Sequence, residues 1–340
     1  HHEALYRLGL VAHQAGRHDD AVEYIGLALG LNPGVAEYHN NMGTVYKALG
    51  KLEEAVAHYR QALAIRPAYA MAHNNLGLTL GEQGKLEEAV AHYRQAVEFQ
   101  PDYAEAYNNL GSALKAQGKL EEAVTRYRQA LAIRPAYAMA HSNLGVALSE
   151  LGKLDEAVVH YRQALTLQPA FPEVCNNLGN ALKEQGKLEE AVLQYRQALA
   201  LKPAFVDAHN NLGTALLGQG KLEEAVTQYR QALALQPDYA EAMNNMGSAL
   251  LGQGKLEEGV AQYRRALAIK PDYSDAHSNL LFGLHYLPSY DSALLGALYR
   301  EWNEKYARHL VPKNVHRENR RESERPLRVG YVSADFKRHP

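Results

Sequence analysis

Eight asparagines recur in this chain at intervals of 34 residues, and their type and spacing are suited to binding chemistry. A carboxamide offers one acceptor oxygen and two donor hydrogens, which match the C=O and N–H groups of a peptide backbone. A column of such groups could hold an extended chain without recognising its side chains, at about 0.5–1.5 kcal/mol net per hydrogen bond. We call these residues the ladder asparagines. They are Asn41, Asn75, Asn109, Asn143, Asn177, Asn211, Asn245 and Asn279.

The elements that position these asparagines follow from other residues that repeat with the same period. Prolines recur from Pro33 to Pro271, and glycines recur in two further phases that begin at Gly43 and Gly50. Within each unit the apolar residues have helical spacing, a glycine ends a first helix, and the motif "KLEEAV" begins a second one. A proline then closes the unit, since proline cannot continue a helix. The sequence therefore predicts a stack of helical hairpins.

The 34-residue helix–turn–helix unit resembles the tetratricopeptide repeat, and eight in-phase units cover residues 2–273. One hairpin cannot bury its apolar face, whereas stacked hairpins share a core and form a superhelix with a long concave groove. We predict an all-α fold, a tetratricopeptide-repeat superhelix (α-solenoid) with a short C-terminal capping helix and a terminal strand-like tail. The expected domains are eight repeats (1–273), a ninth half-repeat with the capping helix (274–310), a charged linker (311–326) and the first strand of a missing catalytic domain (327–340).

In hairpins of this kind the first helix lines the concave surface, which makes the ladder asparagines the predicted peptide-binding residues. Two structural explanations remain open, namely recent duplication of near-identical repeats and a hydrogen bond from each asparagine to the neighbouring hairpin. Asparagine is a mediocre helix former, so eight of them impose a propensity cost that favours the binding explanation. The residue before the ladder asparagine is serine at Ser142 and Ser278, which indicates a looser constraint at that position.

Composition and charge argue against several other functions. The net charge of −2 provides no basic field for nucleic acid or for an anionic membrane, and no apolar run approaches the roughly 18 residues of a membrane span. The single cysteine, Cys175, suits a reducing compartment, so we expect a cytoplasmic protein. Histidines such as His39 and His73 are one repeat apart, too far for a shared metal, so packing is their expected role. No phosphate loop or nucleophile elbow is present.

Lysines recur in every second unit, about two helical turns after the ladder asparagine, at Lys47, Lys115 and Lys183. They could favour acidic clients or simply be solvated, and we favour solvation. Carboxylate-clamp repeats, which bind the tails of chaperones, resemble this array in fold. They need a tight cluster of lysine and arginine in the groove. Because asparagine occupies that surface here, we do not expect that function.

The pattern changes after Pro271, and the new motifs resemble a known family. The stretches "AHSNLLFGLHYLP", "YREWNEKYARHL" and "RPLRVGYVSADFKRHP" are similar to the passage from repeats to catalytic domain in the SPINDLY and protein O-GlcNAc transferase family. Those enzymes transfer a sugar from a nucleotide donor to Ser or Thr hydroxyls of intracellular proteins, and their superhelix selects clients through an asparagine ladder. His339 matches a histidine that lies at the active site of relatives.

The resemblance implies that the chain is the client-recognition superhelix of an intracellular protein O-glycosyltransferase. Client proteins or extended peptides are the implied partners, and UDP-GlcNAc is the implied donor of the parent enzyme, although fucose as the transferred sugar stays open. The chain contains no cofactor motif and ends one residue after His339. We therefore expect no transferase activity from these residues and regard His339 as a catalytic candidate only in a longer chain. The alternative is a non-enzymatic scaffold that assembles partners, and homodimerisation stays open in either case.

Overall fold

The computed structural model describes residues 1–290 and 292–307, which are helical nearly throughout and contain no strand. Eighteen α-helices are followed by a π-helical turn, Asn303–Ala307. This architecture confirms the predicted all-α solenoid for the described residues. The helices are α1 His2–Gln14, α2 His18–Leu31, α3 Ala36–Ala48, α4 Leu52–Ile65, α5 Ala70–Glu82, α6 Leu86–Phe99, α7 Ala104–Ala116, α8 Leu120–Ile133, α9 Ala138–Glu150, α10 Leu154–Leu167, α11 Pro172–Glu184, α12 Leu188–Leu201, α13 Val206–Gly218, α14 Leu222–Leu235, α15 Ala240–Gly252, α16 Leu256–Ile269, α17 Ser274–Leu284 and α18 Ser292–Trp302.

Each hairpin turns at a glycine whose backbone is left-handed. Between α7 and α8, Gly118 has a φ of 75°, a conformation that costs a residue with a Cβ about 1–2 kcal/mol. The amide of Gly118 donates to the carbonyl of Lys115 at 2.8 Å, and the amide of Lys119 donates to the carbonyl of Leu114 at 2.9 Å. These bonds satisfy carbonyls at the end of α7 that have no partner within the helix. The glycines that recur every 34 residues from Gly50 onward are therefore the residues at which the hairpins turn.

The two helices of a hairpin approach closely because a glycine of the first faces a tyrosine of the second. A Cβ on Gly111 would lie only 2.7 Å from Cε1 of Tyr127, so no larger residue fits beside that ring. Tyr127 is fully buried together with Ala123 and Ala130, and this burial raises the pKa of Tyr127 to about 12. The units from α3–α4 to α15–α16 thus each fix their helix pair with one ring, whereas Gly9 of the first unit faces Ile25. The glycine–tyrosine contact recurs as Gly43–Tyr59, Gly77–Tyr93, Gly145–Tyr161, Gly179–Tyr195, Gly213–Tyr229 and Gly247–Tyr263.

The odd-numbered helices form the inner wall of the solenoid. From α1 to α17 each of them contacts the next odd-numbered helix, whereas contacts between successive even-numbered helices are sparse among the described residues. Helices inside a curved stack lie closer together than those outside, so the even-numbered helices form the convex face. Five arginine–glutamate ion pairs link successive even-numbered helices, with N···O distances of 2.7–3.7 Å. They are Arg60–Glu88, Arg94–Glu122, Arg128–Glu156, Arg162–Glu190 and Arg196–Glu224.

The repeat geometry changes at α17, where Leu281 stands in place of the close-contact glycine and is buried. Helix α18 packs back against α17 and the end of the array. The hydroxyl of Tyr306, in the turn after α18, donates to the carbonyl of Pro271 at 3.3 Å. An apolar cluster closes the stack at this end. It contains Val260, Leu284, Leu287 and Leu295.

Helices α17 and α18 lie within the stretch 274–310, for which the sequence predicts a ninth half-repeat and a capping helix. The last three residues of that stretch, 308–310, lie outside the described residues. The predicted linker 311–326, the predicted strand within 327–340 and the candidate His339 also lie outside them. These assignments stay predictions.

Candidate peptide-binding groove

The ladder asparagines are half-buried on the inner wall, one in each odd-numbered helix from α3 to α17. Asn177 lines a groove cavity of about 270 Å³ together with Asn180 and Tyr161. Asn279 lines a cavity of about 410 Å³ near the C-terminal end, where Phe282 forms part of the wall. The structure therefore brings the predicted residues to the concave surface. Their contact with a peptide stays a prediction.

Most ladder asparagines also form a hydrogen bond to the preceding hairpin. Nδ2 of Asn109 donates to Oδ1 of Asn74 at 2.9 Å, and six pairs share this bond at 2.9–3.1 Å. Asn41 instead donates to the hydroxyl of Tyr6. The structural explanation considered for these residues is thus realised in the fold. The other five pairs are Asn75–Asn40, Asn143–Asn108, Asn211–Asn176, Asn245–Asn210 and Asn279–Asn244.

These bonds do not exhaust the hydrogen-bonding capacity of the ladder. A primary amide has two N–H hydrogens and an oxygen with two lone pairs, and the bond to the preceding hairpin uses one hydrogen. In some repeats the oxygen also accepts from its chain neighbour, as Asn109 does from Asn108 at 3.4 Å. One hydrogen and at least one lone pair remain on each side chain, and those are the groups that a peptide backbone needs.

The acceptors in the preceding hairpins form a second row that sequence reasoning missed. These residues directly precede the ladder asparagines and are more buried, with Asn40 at 1% and Asn108 at 5% exposed. Where this residue is asparagine, its buried amide must be paired to avoid a desolvation penalty of about 1–3 kcal/mol, whereas Ser142 and Ser278 fit the looser constraint inferred from the sequence. Ser142 itself is buried, and no hydrogen bond joins it to Asn177 in the described part of the chain. We call this row the inner asparagines.

Hydroxyl and amide groups one helical turn beyond the ladder form the floor of the groove. Ser112 accepts a hydrogen bond from the hydroxyl of Tyr127 at 3.1 Å, and Oδ1 of Asn180 accepts one from Tyr195 at 2.7 Å. The tyrosine that holds the hairpin together therefore also orients a polar group toward the groove. The sequence signal that could have revealed it is the polar residue at this position in five of the repeats, namely Thr44, Ser112, Asn180, Thr214 and Ser248, with Leu78, Val146 and Phe282 in the others.

Two of the three groove lysines form ion pairs across the inner wall. Nζ of Lys47 lies 2.9 Å from Oε1 of Glu82, and Nζ of Lys115 lies 3.4 Å from Oε1 of Glu150. Each acid belongs to the next odd-numbered helix, 35 residues later. These two lysines are therefore neutralised by the fold rather than simply solvated.

Four recurring histidines of the odd-numbered helices, namely His39, His73, His141 and His209, form hydrogen bonds with a residue 19 positions later. Nε2 of His73 lies 2.9 Å from the carbonyl of Pro67, so this nitrogen carries the proton. Nδ1 of His73 then accepts from Nδ1 of His92 at 3.0 Å. Burial lowers the pKa of both imidazoles. Packing with specific hydrogen bonds explains these residues, and no group of three or more metal-ligating side chains occurs among the described residues. Equivalent pairs are His39–His58 and His141–His160.

We expect the stability of the array to fall as the pH decreases from 7 to 5. Burial places the folded-state pKa of five of the paired histidines below the unfolded value of about 6.5, so the unfolded chain binds protons first. They are His39, His58, His73, His92 and His160. The stability present above the unfolded value is lost as the pH approaches the lower folded-state pKa. Replacing His58, His92 and His160 by glutamine, the residue that pairs with His209 as Gln228, should flatten this slope. Thermal unfolding at several pH values measures the pH dependence of stability. An unchanged slope in the glutamine variant would contradict the role of these histidines.

Family models support the repeat assignment directly. Models described as "TPR repeat" match residues 43–84, 80–118, 111–152, 147–186 and 179–220. Models described as "Tetratricopeptide repeat" match residues 211–274 and 2–34. No described helix has both the length and the apolar character required to cross a bilayer. No curated protein matches the chain in sequence.

Solved structures of low sequence identity share the fold. One is a chain of the APC/C hetero-tetramer Cut9-Hcn1, with 17% identity and a TM-score of 0.61 over 78% of this chain and 52% of that one. Another is pilF of Pseudomonas aeruginosa, with 22% identity and a TM-score of 0.56 over 61% of this chain and 94% of that one. This chain spans about half of the first. At these identities the likeness concerns the fold alone. The matched family models nevertheless cover most of the described residues, and the chain belongs to the tetratricopeptide-repeat family, whose repeats indicate binding of peptides or proteins.

Proposed function

We propose that the concave groove binds an extended client peptide through the ladder asparagines, and that this groove is the client-recognition region of an intracellular protein O-glycosyltransferase. The observation that carries the first part is the row of eight half-buried carboxamides on consecutive inner helices. Each keeps a donor and an acceptor after its bonds within the fold. That combination suits a peptide backbone, which offers both groups at every residue except proline.

The spacing of the helices suits such a chain. Packed helices lie about 8–10 Å apart, and an extended peptide rises about 3.3 Å per residue. One ladder asparagine therefore meets about every third residue of the client, and eight of them follow roughly 24 residues. Individual bonds contribute little, so affinity comes from their number and depends weakly on client sequence. This suits a protein with many clients.

The transferase part of the proposal is supported by the resemblance of the stretches after Pro271 to the SPINDLY and protein O-GlcNAc transferase family. A tethered client would present its Ser and Thr hydroxyls to a neighbouring catalytic region at a raised effective concentration. In that region UDP-GlcNAc would be the donor and His339 a catalytic candidate. The groove would contribute positioning and no chemistry of its own.

Backbone recognition is tested with modified client peptides. We expect N-methylation of every third backbone amide of a bound peptide to weaken binding at least tenfold, because each methyl group removes a donor. A peptide with the same composition but a scrambled side-chain order should bind within about threefold of the parent. Fluorescence anisotropy measures the affinity of the N-methylated and of the scrambled peptide. Loss of binding on scrambling, with tolerance of N-methylation, would mean that the groove recognises side chains instead.

The transferase assignment is tested on the native protein. Affinity capture from its source followed by intact mass spectrometry should show a mass larger by about two lobes of 100–150 residues each. Such a protein should incorporate GlcNAc from UDP-GlcNAc into client Ser or Thr residues. A native mass equal to that of this chain would instead identify the array as a scaffold that assembles partners.

A further inference from the structure

One lysine of the groove lacks the acid that its two counterparts have. Lys47 and Lys115 each pair with a glutamate 35 residues later, on the next odd-numbered helix. The position 35 residues after Lys183 is Gly218, which has no side chain. No hydrogen bond or ion pair involves the Lys183 ammonium in the part of the chain that the structure describes.

The environment of the Lys183 ammonium nevertheless favours an anionic partner. The residue is half-buried, and this burial lowers the pKa of Lys183. A partly desolvated charge without an ion-pair partner is unfavourable, since its lost hydration is not replaced. Its chain neighbour Glu184 is exposed; its charge opposes the effect of burial on the pKa of Lys183, but it forms no ion pair with Lys183 in the described residues. Among the three groove lysines, Lys183 is therefore the one without an ion-pair partner in the described residues.

Lys183 belongs to the inner-wall helix α11. It lies six residues after Asn177, about 9 Å along the helix at 1.5 Å per residue. Asn177, Asn180 and Glu184 of this helix line a groove cavity together with Glu150 of α9, whereas Lys183 does not line that cavity. Its place on the inner wall follows from Lys47 and Lys115, which hold the same position of the repeat and pair with an acid of the next odd-numbered helix.

We propose that Lys183 binds the carboxylate of an Asp or Glu side chain of the client, which takes the place of the glutamate that Gly218 lacks. The proposal rests on the proposed function, because it requires a peptide in the groove. The chemistry of the ligand follows from the two intact pairs, in which a lysine at the same position of the repeat binds a carboxylate at 2.9 and 3.4 Å. Lys183 then adds a preference for one acidic residue to an otherwise sequence-tolerant groove.

The test supplies the missing acid from within the protein. The Gly218→Glu variant recreates the arrangement of Lys47 with Glu82, so it should occupy Lys183. The matched control is Ala116→Glu, which adds a carboxylate at the equivalent position of α7 opposite Gly81, where no lysine stands. Two fluorescein-labelled 24-residue peptides of Ala, Ser and Thr serve as probes, one with a central Asp and the other with Asn at that site.

We expect the wild-type chain to bind the Asp peptide about two- to fivefold more tightly than the Asn peptide, the range for a partly exposed ion pair. The preference should vanish in Gly218→Glu and in Lys183→Gln, persist in Ala116→Glu, and weaken with added salt. Equal binding of the two peptides by the wild-type chain overturns this inference and leaves backbone recognition intact. Failure of both peptides to bind overturns the inference and the proposed function together.

Discussion

Replacing five central ladder asparagines by alanine is expected to weaken binding of an extended client peptide by about 60-fold or more. If each side chain contributes about 0.5–1.5 kcal/mol through its bond to the client backbone, five substitutions remove at least about 2.5 kcal/mol. Because the central repeats hold the middle of the client, the loss should appear in the dissociation rate. Fluorescence anisotropy measures the affinity, and stopped-flow dissociation measures the dissociation rate. The five are Asn109, Asn143, Asn177, Asn211 and Asn245.

The same substitutions also remove bonds between hairpins, so the experiment needs a variant that loses only those bonds. Replacing four inner asparagines by serine achieves this, since the natural pair of Ser142 and Asn177 shows that the fold accommodates it. We expect this variant to be less stable but to bind the peptide within about threefold of wild type. If peptide binding is weakened equally by the alanine and the serine variants, the ladder asparagines only join neighbouring hairpins and do not contact the client. The four residues are Asn74, Asn108, Asn176 and Asn210.

The largest effect on stability is expected for Tyr127→Ala. The ring is fully buried against Gly111, and removing a buried aromatic side chain costs about 3–5 kcal/mol, including the cavity that is left. Neighbouring residues cannot easily fill that cavity, because Gly111 has no side chain that could move into it. We expect the hairpin of α7 and α8 to lose hydrogen-exchange protection by this amount.

A conservative variant separates the ring from its hydroxyl. Tyr127→Phe keeps the packing and removes only the hydrogen bond to Ser112 at 3.1 Å, so it should cost about 0.5–1.5 kcal/mol. In a repeat array each unit contacts only its neighbours, so protection in α15 and α16 should change far less than in α7 and α8. A uniform loss along the chain, or a loss below about 1 kcal/mol for Tyr127→Ala, would contradict this account.

Much of the fold could be predicted from the sequence because its determinants act locally. Gly118 ends a helix through its own backbone conformation, and Pro135 closes a unit because its ring cannot continue a helix. Leu120, Ala123 and Val124 have helical spacing, which indicates a buried face. The repetition of these signals at one period removed the ambiguity that a single hairpin would have left. The ladder asparagines could be assigned to the inner wall because the first helix of a tetratricopeptide hairpin lines the concave surface.

The partners of the groove residues could not be predicted, because they lie in other repeats. Asn109 pairs with Asn74, and Lys115 pairs with Glu150, each across a separation of 35 residues. Residues 35 apart lie in different hairpins, so helical spacing does not predict their contact. Whether they meet depends on how one hairpin is rotated against the next. The unpaired state of Lys183 became visible only after its two counterparts had been located in space.

The restriction of contacts to neighbouring helices has a mechanical consequence. Contacts in the described array join adjacent helices or successive odd-numbered ones, and the ion pairs of the convex face reach only the next even-numbered helix. Among the described residues, no contact therefore joins the two ends of the superhelix. A pull on the two ends would be shared among the hairpin interfaces, each of which would yield slightly. We therefore expect the array to extend elastically under tension, with its pitch lengthening before any single hairpin unfolds.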